Sequence, residues 1–155
     1  MQATRLACRV AELGALGVLS AMESPELIKL YEYMLRLIND VLPKGGFIPT
    51  AALLNNNGEI TLNGAPFDNR EAAKLLGDVI RQQDEAGILR ASGLMFDVRF
   101  NLPDGSGSAN AIVFILEHQN GDGVLLHQTY KKKTLFRKFS FGEQYEEPLT
   151  DQFRL

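Results

Sequence analysis

Both histidines of the chain, His118 and His127, lie in the apolar stretch from Ile88 to Lys131. Imidazoles brought together could ligate a metal. A turn at Asn120–Gly123 would pair residue 118 with 125 and residue 116 with 127. Both histidines would then sit on one face of a sheet. A zinc site needs three or four convergent ligands, and the lone cysteine, Cys8, is remote in sequence. The pair is therefore expected to cap the end of a sheet, line an interface or face a polar pocket, with no metal bound.

Asp97 and Arg99 alternate with Met95 and Asn101 on the less apolar face of a strand, and Glu117 could face the same side, depending on register. The plain reading is a cross-strand ion pair. The sharper reading is a groove for a small polar ligand or a peptide. Acid–base chemistry would require Asp97 and Glu117 to share one dry cleft. The candidate ligand-binding set is thus Asp97, Arg99, Glu117, His118 and His127.

A second candidate is basic. Lys131, Lys132, Lys133, Arg137 and Lys138 are interleaved with Phe136, Phe139 and Phe141. Such a pattern could neutralise and stack a single nucleic-acid strand. Glu143, Glu146, Glu147 and Asp151 follow closely, and the formal charge is −3 with a pI near 5.4. Both features count against nucleic acid as a partner.

Motifs of established chemistry are missing. The chain has no G-x-x-x-x-G-K-[ST] loop and no dinucleotide fingerprint ahead of a helix. Ser92-Gly93 and Ser106-Gly107 lack the strand–turn–helix setting of a nucleophile elbow. No Cys–His spacing suits a thiol nucleophile. Neither a catalytic residue nor a cofactor is expected.

The elements that must position these residues follow from periodicity. At 155 residues the chain suits one domain, and such a domain buries roughly 68% of its unfolded surface. Leu6, Val10, Leu13, Leu16 and Leu19 have helical spacing within residues 1–22, weakened by Gly14 and Gly17. That segment would pack on the domain or on a partner, unless the chain starts physiologically at Met22. Ser24-Pro25-Glu26 opens a helix to Leu42. Its apolar stripe is wider than one contact needs. Residues 47–54 and 59–63 read as a hairpin about Asn57-Gly58. Asp68 and Glu71 start a helix that Gly87 ends.

Three strands follow, at Ile88–Leu102, Ala109–Gln119 and Val124–Lys131. Alternation from Leu94 to Leu102 is the cleanest period-two signal in the chain. Ala111–Leu116 is apolar on both faces and so belongs at the centre of the sheet. Leu135–Phe141 reads as a last strand with lysines guarding an edge, and residues 143–155 as an irregular tail. The order predicts an α+β fold: an antiparallel sheet of five to six strands covered by helices. It resembles the roadblock and profilin-like arrangement, scaffolds that act mostly through surfaces.

The pieces GFIPTAALLNNNGEI, ASGLMFDVRF, SANAIVFILEHQNGDG and FSFGEQYEEP, between Pro43 and Pro148, resemble an uncharacterised family of small bacterial proteins without established activity. Asn110 stands where that family carries an acid, and Thr129-Tyr130 where it carries a proline-tyrosine segment. The resemblance implies a compact, oligomeric α+β protein and supplies no catalytic residues.

The functional expectation is a noncatalytic homo-oligomer, a dimer first, or a module that binds another protein. The alternatives are a small-ligand binder or enzyme using the polar set, and a nucleic-acid binder using residues 131–138. Arg9 and Glu12 interrupt the apolar N-terminal run, and no stretch reaches the roughly 20 apolar residues of a membrane span. The odd cysteine suits a reducing compartment. A cytoplasmic protein without membrane contact is expected.

Overall fold

A computed structural model of the chain describes residues 24–133 and 138–149. The helix expected within 1–22 lies outside these residues. The first described helix, α1, spans Pro25–Val41 and runs into a 3-10 turn at Leu42–Lys44. Strands β1 (Thr50–Asn55) and β2 (Ile60–Gly64) follow, then helix α2 (Asn69–Glu85). Strands β3 (Leu89–Asn101), β4 (Ser108–His118), β5 (Gly123–Lys133) and β6 (Lys138–Pro148) complete the described chain. The six strands form one open antiparallel sheet in the order β2-β1-β3-β4-β5-β6. This is the α+β class that the element order predicts. The tail reading fails for residues 143–148, which belong to β6. Their charged side chains mask the strand because an edge strand needs few apolar positions.

Helix α1 buries Leu27, Leu30, Tyr31, Met34, Leu35 and Ile38 against one face of the sheet. Helix α2 buries Ala72, Leu76 and Ile80 against the other, with Ala51, Leu53, Leu94 and Phe96. Ser24 holds the N-cap position of α1, but its hydroxyl makes no capping bond. Pro25 in the first turn and the Ser24 carbonyl, which accepts the Ile28 amide at 3.1 Å, make the start instead. In α2 the Asp68 carboxylate does cap, accepting the Glu71 amide at 3.0 Å. Replacing Asp68 by Ala is expected to lower the unfolding free energy by about 1 kcal/mol. Urea titration checks this, and an unchanged midpoint would show that the cap adds nothing.

Register runs in rows across the sheet. On the α1 face one row is Thr50, Met95, Phe114, Leu126 and Glu146. On the α2 face a neighbouring row is Phe96, Val113, His127 and Tyr145. Gly93, at the centre of β3, allows α1 to lie close. A Cβ there would stand 2.4 Å from Met34 Sδ and 3.1 Å from Leu116 Cδ2.

The β4–β5 hairpin closes differently from the expected turn. The His118 amide donates to Asp122 O at 2.8 Å and the Gly121 amide to His118 O at 3.0 Å, so the loop is Gln119-Asn120-Gly121. Gly121 supplies the left-handed residue, with φ 99°, as three-residue hairpin loops require. Glu117 therefore pairs with Gly123 and Val113 with His127. Paired numbers sum to 240 instead of the expected 243. An odd difference moves one strand's residues to the other face relative to its partner.

Candidate interaction surface

That register separates the histidines. His118 shares the α1 face with Leu116 and Phe114, whereas His127 shares the α2 face with Val113 and Ile115. The expectation of one common face is corrected by the hairpin's parity. Glu117 likewise lies on the α2 face, opposite to Asp97. Along the paired strands six residues separate the Asp97 position from that of His118, which is about 20 Å of strand. The five polar candidates do not converge on one pocket.

Each has a local environment of its own. Asp97 accepts the Tyr130 hydroxyl at 2.7 Å. Burial, with Asp97 beside it, pushes the Tyr130 hydroxyl pKa well above the ordinary tyrosine value. Arg99 is exposed and donates to Ser108 Oγ at 2.9 Å and Asn110 Oδ1 at 3.1 Å.

His118 is a structural clamp. Its Nδ1 accepts the Asn120 amide at 3.1 Å, so the proton resides on Nε2, which donates to Glu26 Oε1 at 3.2 Å. Arg90 Nη1 holds the other carboxylate oxygen at 3.1 Å, while Nη2 donates to Asn56 O at 3.2 Å. Burial raises the Glu26 pKa, but the bonds from His118 and Arg90 outweigh it and leave a net lowering. The first turn of α1 is thereby tied to two hairpins. Both imidazole nitrogens are occupied, so His118 is not poised as a base.

Beside the clamp is a cleft of about 160 Å³ whose walls include Arg81, Asp84, Arg90, Ser92, Glu117 and His118. Ligand pockets usually hold roughly 300–1,000 Å³. Arg81 is engaged by Asp78. Among the described residues, no group of three or more His, Cys, Asp and Glu could hold a metal ion. No described helix is long and apolar enough to cross a membrane.

The second face of the sheet has a different character. Helix α2 contacts β3 and β1. On the same face beyond it, Phe100 stacks on His127 with centroids 4.3 Å apart and 22° between planes. Tyr145 lies 5.3 Å from Phe100. Phe100 and His127 belong to strands that flank β4, and small residues there, Ala109 and Ala111, open the path between them. Phe100, Val113, Ile115, His127 and Tyr145 are all half-buried. Burial lowers the His127 pKa, with Glu147 pulling the other way. No family model, curated protein or solved structure matches this chain. Its surface must therefore be read from its own geometry.

The edge beside this face is interrupted. Gly142 and Glu143 together oppose Thr129, a bulge in β6. Gln128 Nε2 donates to Gly142 O at 3.0 Å, and Thr129 Oγ1 to Glu143 O at 2.7 Å, which pins it. Pro148 ends the strand without an amide donor. Beyond the bulge, Lys131, Lys132 and Lys133 pair with Ser140, Phe139 and Lys138. Lys131 and Lys132 are exposed, and Arg137 lies outside the described residues. Phe139 and Phe141 meet edge to face at 5.1 Å and pack on the α1-side core. That packing half-buries both rings, the faces on which a nucleic-acid strand would stack.

Sequence reading missed the clamp and the aromatic cluster. Glu26 carried a signal, but it was one for helix initiation. Phe100, His127 and Tyr145 meet only after three strand registers are set.

Proposed function

We propose that this protein is a noncatalytic protein-binding module that works through the α2 side of β4, β5 and β6. The carrying observation is the half-buried aromatic cluster Phe100–His127–Tyr145, which lies beyond the α2-side core that Val113 and Ile115 pack against. Aromatic anchors with apolar neighbours are what protein interfaces concentrate at their centres. The dispersal of the polar candidates favours binding over chemistry. A cytoplasmic setting, where Cys8 stays a thiol, belongs to this proposal.

The test compares the full-length wild type with Tyr145→Lys, first confirmed as folded by circular dichroism. Sedimentation reports self-association, and affinity capture from host extract reports other partners. Wild type is expected to associate in at least one assay, and the variant to lose that association by at least about tenfold, or about 1.4 kcal/mol. Association that the variant leaves unchanged, or none in either assay, overturns the proposal.

A further inference from the structure

The face described above is charged unequally along its length. By strand alternation, exposed Lys131 of β5 continues the side that carries His127 and Thr129, and its β6 partner is Ser140. A lysine thus stands at one end. At the other end, β5 Leu125 pairs with Glu147, which is exposed, and β4 Glu117 pairs with Gly123 on the same side. Leu149 closes that end by packing over Gly123. Between the two ends lies the aromatic cluster. The wider sequence shows the same segregation: residues 131–138 hold five basic and no acidic residues, within a chain of net charge −3.

Resting on the binding reading above, we propose that the occupant of this face is a second copy of the chain. The two sheets stack face to face about a two-fold axis that crosses the strands. Such an operator reverses strand direction, so the lysine end of each copy meets the Glu147 end of the other. An axis parallel to the strands would set lysine against lysine, and like charges across an interface are disfavoured. The aromatic cluster then sits near the axis and meets its own copy. Glu143, whose carboxylate accepts the Tyr145 hydroxyl at 2.9 Å, is exposed on the outer strand. It falls on the rim, where water screens it from its mate. Three strands of this length cover about 14 by 25 Å. That is about 350 Å² per copy, below the range of stable interfaces, so the expected association is weak and transient, micromolar at best.

Charge exchange tests the orientation. Two full-length variants are made, Lys131→Glu and Glu147→Lys, and each is checked for fold by circular dichroism. In sedimentation velocity each alone is expected to weaken self-association at least about tenfold relative to wild type. Mixed in equal amounts, the two should restore a dimer, because position 131 of each copy then meets the opposite charge at position 147 of the other. A wild-type dimer that neither variant weakens, or variants that weaken but do not recombine, overturns this arrangement while leaving the binding reading intact. A wild type that stays monomeric at about 100 μM, well above a micromolar Kd, also overturns it. The binding reading then stands or falls on the Tyr145→Lys capture experiment.

Discussion

Phe114→Ala is expected to cost about 3–5 kcal/mol of unfolding free energy, the usual range for an aromatic removed from a core. Phe114 is fully buried, at 0% exposure, in the central strand β4. It pairs with Met95 and Leu126, and its ring meets Tyr31 of α1 edge-on at 5.1 Å and 87°. Truncation removes that contact and opens a cavity between the helix and the sheet. Collapse is resisted because Met34, Leu116 and Ile112 are also fully buried and already close-packed. Guanidinium titration at pH 7 should show a lower midpoint with an unchanged slope. A loss below about 1 kcal/mol would mean that α1 does not pack on this face as described.

Glu146→Gln is expected to stabilise the protein at pH 8 by about 1–3 kcal/mol, after allowance for partial solvent screening. Glu146 ends the row Thr50, Met95, Phe114 and Leu126 on the α1 face. Its Oε2 is buried without a hydrogen-bond partner, and burial pushes the carboxyl pKa up to about 7. The unfolded carboxyl titrates near 4.5. Between these values the folded state holds a proton that the unfolded state has released, so stability falls as pH rises from about 4.5 to 7. Glutamine removes that slope and keeps the shape. Two other groups slope the opposite way. His127, lowered by burial, costs stability as pH falls from its unfolded value of 6.5 through its folded one. Glu26, lowered on balance by His118 and Arg90, does so as pH falls from 4.5 through its own folded value. The measurement is therefore the difference between variant and wild type across pH 4–8, read by thermal or urea unfolding. A difference that stays flat with pH would show that Glu146 is solvated in the fold.

Much of the architecture was legible because helices and strands announce themselves locally. Leu94 to Leu102 alternates, and β3 spans Leu89–Asn101. Asp68 and Glu71 marked a helix start, and the cap is there. The apolar run Ala111–Leu116 required cover on both sides, and β4 lies inside the sheet with Phe114 on one core and Val113 on the other. By contrast β6 was half hidden. Its residues 143–148 are polar enough to read as tail, since pairing with β5 depends on backbone groups that side chains do not advertise.

The candidate residues were visible by type, and their company was not. Asp97, Arg99, Glu117, His118 and His127 stood close in sequence order and in an assumed hairpin, yet they occupy two faces and two ends of the sheet. Residue chemistry and local periodicity alone determined that this chain makes helices and an antiparallel sheet, and which strands are apolar enough to lie inside it. Tertiary structure decided which polar groups meet. One loop, Gln119-Asn120-Gly121, sets the β4–β5 register, and an odd shift in that register exchanges faces for a whole strand. The meeting of Phe100 with His127 depends on that parity, to which the period of either strand by itself is blind.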